Sequence, residues 1–167
     1  MRRQAVVATL ASAALLALSG CQSYNSTQSR SNEEARSEIP RVMDLLEARL
    51  PQLEAEGAVA FASGGNLPNV WFYPNYTADE LIAERATPGR PGTLLLAATD
   101  DPIASLGFVS GSRAENGGPV PGWTAAYVCW SVDIAPEGLS KPYDSPCLDG
   151  MDRVIPGAEH VTIHPED

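Results

Sequence analysis

Two histidines, twenty-one acidic side chains and three cysteines carry most of the chemistry open to this 167-residue chain. His160 and His164 stand four residues apart. On a helix that spacing puts both rings on one face, where they can share a metal. Here Val161, Thr162 and Ile163 lie between them and Pro165 follows. The β-branched run predicts a strand instead. Four strand residues span about 13 Å, too far for both imidazoles to reach one zinc ion. Neither a metal site nor a cofactor is expected.

The acids point to turns. Asp100-Asp101-Pro102 fits a turn signature. Asp144, Asp149 and Asp152 gather around Cys147 without the spacing of a calcium loop. Glycoside hydrolysis needs two opposed carboxyls, and the spacing singles out no pair. Ser63 lies in Ala-Ser-Gly and Ser110 in Val-Ser-Gly, both turn contexts with no Gly-x-Ser-x-Gly elbow. Gly64-Gly65 and Gly117-Gly118 lack the lysine and helix of a phosphate loop. No residue is assigned a catalytic role. Aromatic chemistry is denser: Trp71, Phe72, Tyr73 and Tyr76 fall within six positions. Such faces stack on sugars or on a partner's side chains. Trp71, Tyr73 and Tyr76, with Arg113 and Trp123 near the Gly- and Pro-rich stretch 111–122, form the candidate binding surface.

The N-terminus has its own pattern. Arg2 and Arg3 precede an uncharged apolar run, residues 5–17. That run is shorter than the about 20 residues a membrane-spanning helix needs, and it fits an export signal. Leu18-Ser19-Gly20-Cys21 follows and resembles the lipobox of bacterial lipoproteins at all four positions. The resemblance covers residues 1–21. It implies diacylglyceryl transfer to the Cys21 thiol and cleavage between Gly20 and Cys21. Small residues before the cysteine let the backbone enter a protease cleft, and a thiol supplies the nucleophile for the thioether. The flanks match the twin-arginine export motif poorly, which favours the general secretory route.

Export also bears on the other cysteines. With Cys21 assigned to lipid, Cys129 and Cys147 remain as an even pair in an oxidising compartment, where a disulfide is expected. It would staple a Pro- and Gly-rich segment to the strand before it, a structural role worth roughly 3 kcal/mol. The net charge is −10, and loss of Arg2 and Arg3 with the signal makes it −12. So acidic a body repels phosphate backbones, so nucleic acid is not an expected partner. Attachment to an anionic bilayer would rest on the lipid rather than on a basic patch.

The elements follow from periodicity. Residues 21–32 are polar and serine-rich and read as a flexible tether. In residues 33–56, Ile39, Val42, Met43, Leu46, Leu50 and Leu53 recur at helical spacing. A start near Ser37 would put Pro40 in the first turn, Pro51 should break or restart the helix, and Gly57 should end it. Residues 58–62 read as a short strand, and 69–73 as a β-rich aromatic run. Thr77 and Glu80 form a capping box for a helix over 78–86 that buries Leu81 and Ile82. Residues 88–92 break the chain. Residues 93–98 predict a central strand and 105–110 its hairpin partner. Residues 111–122 read as a functional loop. Residues 123–134 form the longest strand, with Val128, Trp130, Val132 and Ile134 on one face and Trp123, Ala125, Tyr127 and Cys129 on the other. Residues 135–157 read as irregular and 160–164 as a last strand.

The fold expected is α+β: an N-terminal helix on a mostly antiparallel sheet of about five or six strands, one further short helix and one disulfide. The domain plan is a signal over 1–20, a lipid-anchored tether over 21–32 and one globular domain over 33–167. The function expected is that of an extracytoplasmic protein held to a bacterial membrane through Cys21. It would bind or support another envelope protein or a cell-wall component without catalysis. The alternative is an envelope hydrolase that acts on wall glycans or peptides with acidic catalytic residues.

Overall fold

The computed structural model describes residues 3–87, 92–116 and 122–164, with backbone alone for residues 3–24 and 116. Among these residues the fold is α+β, a seven-stranded mixed sheet with five helices. Helix α1 spans Arg3–Glu47, α2 Leu50–Glu56 and α3 Ala58–Gly64. Strand β1 is Val70–Phe72, followed by α4, Ala78–Ala83. The long strands are β2 (Gly92–Thr99), β3 (Ala104–Asn116) and β4 (Gly122–Ala135). Short pieces complete the chain: β5 (Gly138–Leu139), β6 (Tyr143–Asp144), α5 (Met151–Val154) and β7 (Glu159–His160). Among the described residues, no helix is long and apolar enough to cross a membrane.

The sheet runs β1-β2-β3-β4-β5, with β6 and β7 also on β4. Pairings β2–β3 and β3–β4 are antiparallel, whereas β1–β2 and β4–β7 are parallel. Pairings β4–β5 and β4–β6 are antiparallel too, so the sheet is mostly antiparallel as expected, with seven strands among the described residues rather than five or six. On β4 the alternation holds as read. Val128, Trp130 and Val132 enter one core with Leu106 and Phe108, beneath Ala35, Ile39, Val42 and Leu46 of α1 and Phe61 of α3. Tyr127 and Cys129 enter a second core with Leu81, Val109, Met151 and Val154. Helices α4 and α5 therefore cover part of the face opposite α1.

Trp130 is fully buried, and its indole N–H cannot go without a partner there. It donates to Ser110 Oγ at 2.9 Å, which meets Thr93 Oγ1 at 2.8 Å. The Trp130 ring stacks on Phe108, its cross-strand neighbour, with centroids 4.5 Å apart.

Several expectations fail for identifiable reasons. The tether reading of residues 21–32 is corrected: these residues are helical and continuous with α1. Thr27, Ser31 and Ala35 are buried four residues apart, a helical stripe of small side chains that hydropathy does not register. Ser31 Oγ meets Thr124 Oγ1 at 3.2 Å, and Gln28 Nε2 donates to Ala125 O at 3.3 Å. Pro40 lies inside α1, not in a first turn, and Ser37 is no cap. Pro40 is exposed, so the carbonyl it deprives of a donor stays near solvent, while burial of Ile39 and Val42 holds the helix. Pro51 starts α2 and Gly57 ends it, as expected.

Residues 58–62 form helix α3, not a strand. A five-residue apolar run cannot separate the two by period, and the deciding contact is remote. Asp100 Oδ1 accepts the N–H groups of Ala58 at 2.6 Å and Val59 at 3.4 Å. Thr77 and Glu80 form the capping box, but α4 is shorter than expected and leaves Ile82 44% exposed. The stretch 111–122 is not one loop: residues 111–116 extend β3, Gly122 opens β4, and 117–121 lie outside the described residues. The chain break at 88–92 lies outside them too, apart from Gly92, which begins β2. The last strand is only Glu159–His160. Asp100→Ala should destabilise the fold by about 1 kcal/mol, the ordinary loss for a helix cap. A urea melt that matches wild type would show that the cap contributes nothing.

Candidate functional site

The end of the β3–β4 hairpin near Thr124 and Ala125, which α1 contacts through Ser31 and Gln28, carries a groove. Arg113 on β3 pairs with Ala125 on β4, so Trp123, two residues earlier, is its diagonal neighbour on the same face. The guanidinium reaches across, with Cζ 4.3 Å from the Trp123 ring centroid, a cation–π contact. Gly111 adds no side chain to the floor. Val154, Ile155 and Pro156, which follow from α5, form the apolar wall opposite. The groove encloses about 370 Å³, the scale of a small-ligand or side-chain pocket. Trp123 remains 46% exposed, so its indole is available at the rim.

The back of this end is tied to α1. Ser112 points the other way from Arg113 and donates to Glu34 Oε2 at 2.6 Å, while Arg30 pairs with Oε1 at 2.8 Å. The Ser112 hydroxyl, and then the Arg30 guanidinium, hold the Glu34 carboxyl below its ordinary value against the opposing effect of burial. On β4, burial and then the nearby Asp152 carboxylate push the Tyr127 phenol up.

The structure divides the surface proposed from sequence. Arg113 and Trp123 come together. Trp71 lies on β1 and is 42% exposed. Through the strand registers it aligns with Leu94, Val109 and Cys129. That places it about 20 Å along the strands and roughly 14 Å across them from Trp123. Tyr73 and Tyr76 pack edge to face at 5.1 Å and lean on the second core. They support structure more than they offer a face.

Cys129 and Cys147 form the disulfide, with Cα atoms 5.3 Å apart. It fastens the segment after β4 back onto the second core. Sequence reading missed the partner beside it: His160 Nε2 lies 3.4 Å from Cys147 Sγ. Strand β7 lays His160 along Tyr127, with ring centroids 5.1 Å apart. By sequence spacing the only metal-sharing neighbour for His160 is His164, and nothing local reveals its parallel pairing with β4. Asp144, a turn residue by its context, accepts the Ile163 N–H at 2.8 Å and fixes the segment after β7.

Compared with family models, with curated proteins and with solved structures, the chain matches none.

The Glu34 contact has a definite pH signature. A carboxyl with a lowered folded value contributes stability above its unfolded value and loses it as pH falls through the folded one. Ser112→Ala should therefore cost about 1–2 kcal/mol at neutral pH, with the gap to wild type closing in acid once Glu34 is protonated. Denaturant melts at both pH values check this, and a gap independent of pH would assign the loss to packing.

Proposed function

We propose that the chain is a lipid-anchored protein of the bacterial cell envelope. In this reading Cys21 carries the lipid, and the Arg113–Trp123 groove binds another envelope component without catalysis. The observation that carries the reading is the shared end of the sheet. The helix that continues from Cys21 meets the domain at Thr124 and Ala125, and the groove opens on the other face of those same strands.

The groove's chemistry suits a protein segment that offers an apolar side chain to Val154, Ile155 and Pro156 and a carboxylate to Arg113. Arg113 is a cation on a chain of net charge −10, so it supplies a local site for such a group. Anchoring raises the effective concentration of membrane-bound partners, which lets a small interface act.

In intact cells, Cys21→Ala should move the chain from the membrane fraction to the soluble one, and unchanged retention would falsify the acylation. Crosslinking of the native chain should capture one recurrent envelope protein. Trp123→Ala should lower that yield at least about tenfold, the loss typical of an aromatic anchor, whereas Trp71→Ala should not. Equal yields would remove the groove from the reading, and turnover of wall fragments by the purified protein would replace it with the hydrolase.

A further inference from the structure

We propose that the Cys129–Cys147 disulfide and His160 form a redox-gated metal site, closed when oxidised and competent for zinc when reduced. The proposal stands apart from the anchoring and from the Arg113–Trp123 groove. The two sulfurs and one ring nitrogen of His160 all lie within 4.8 Å of one another. A tetrahedral zinc site with ordinary bond lengths places two sulfurs about 3.8 Å apart and a sulfur and a nitrogen about 3.6 Å apart. Cys147 Sγ and His160 Nε2 are already at 3.4 Å. The sulfur pair must open, and the Cys129–His160 separation, which lies within 4.8 Å, must adjust with it. Cys147 lies on the irregular segment between β6 and α5 and is half-buried, so a turn of its side chain can supply that movement. Cys129 is buried within β4 and stays in place.

The surroundings suit the cation. His160 is held by its stack on Tyr127 and by β7, whose next residue, Val161, donates its N–H to Tyr127 O at 2.8 Å. Its exposed ring leaves the fourth coordination position open to water or to a ligand. Two thiolates and a neutral imidazole around Zn²⁺ sum to zero charge, so the half-buried site carries no net ion. The acidic chain favours the approach of a cation.

The chemistry balances with a dithiol as reductant. The dithiol gives two electrons and two protons to the Cys129–Cys147 bond and leaves as its own disulfide. Zinc then replaces the two thiol protons and takes Nε2 of His160, with the remaining ring proton on Nδ1. Re-oxidation by a small-molecule disulfide passes the two thiolate electrons to that disulfide, which takes two protons from water and leaves as its dithiol, while the Cys129–Cys147 bond re-forms and Zn²⁺ is released.

The test uses the full chain in detergent, oxidised or reduced with a phosphine, and titrated with Co²⁺ and then Zn²⁺. The reduced chain should bind one Co²⁺ with a thiolate-to-metal charge-transfer band, which Zn²⁺ then bleaches. The oxidised chain should show no such band. His160→Ala should weaken zinc binding by about tenfold or more, and Cys129→Ser should abolish the band. A reduced chain without the band, or one whose affinity is unchanged by His160→Ala, overturns the proposal. So does loss of the folded near-ultraviolet signature on reduction, because the third ligand is brought in only by the folded β7.

Discussion

The backbone of β4 must find hydrogen-bond partners on both edges while its side chains are buried on both faces, and that demand organises the molecule. One edge is satisfied by thirteen register pairs with β3. The other is satisfied piecemeal. From the start of the strand onward, β7 pairs at Ala126 and Tyr127, β6 at Trp130 and Ser131, and β5 at Ile134 and Ala135. Such short segments have little pairing energy of their own. The disulfide holds the middle of this edge, where Ser145 N–H also bonds Cys129 O at 3.1 Å. The irregular segment after β4 is thereby turned into cover for an edge that would otherwise invite pairing with another chain.

What was legible in the sequence follows from where the information sits. The two faces of β4 could be read because a long strand repeats its period several times, and both its faces meet apolar cores. The capping box at Thr77 could be read because both partners lie within four residues. By contrast, α3 takes its cap from Asp100, forty-two positions away, so its five apolar residues look the same whether strand or helix. The helical run before residue 33 escaped notice because Thr27 and Ser31 are polar by composition, yet small enough to let α1 approach the sheet closely. The Ser31 hydroxyl donates to Gln28 O within the helix and also meets Thr124 Oγ1 on the sheet.

The site shows the same division. Their types beside a Gly- and Pro-rich stretch single out Arg113 and Trp123, and the sequence places Trp123 on a strand but Arg113 in a loop. The register of the hairpin makes them diagonal neighbours and brings the cation over the ring. The apolar wall from residues 154–156 could not have been assigned to them, since it arrives through α5 after a further thirty positions of chain. Trp71, equally aromatic and equally exposed, sits three strands away. Composition nominates such residues, but only the sheet register decides which of them share a surface.

The state of the segment before residue 33 also decides how a membrane anchor would act. A flexible eleven-residue tether would let the domain wander by about 18 Å from its attachment. A helix that continues from Cys21 to the buried Thr27 covers only about 9 Å, along one direction. If Cys21 carries lipid, that stiffness keeps the end of the sheet bearing Thr124 and Ala125 close to the bilayer, and the rim of Trp123 and Arg113 with it. The β1 edge with Trp71 is then held further out. A partner embedded in the same membrane would meet the groove with little loss of freedom on binding. One that lies deep in the wall would meet Trp71 first, so the rigidity of the helix favours a membrane-proximal partner over a distant one.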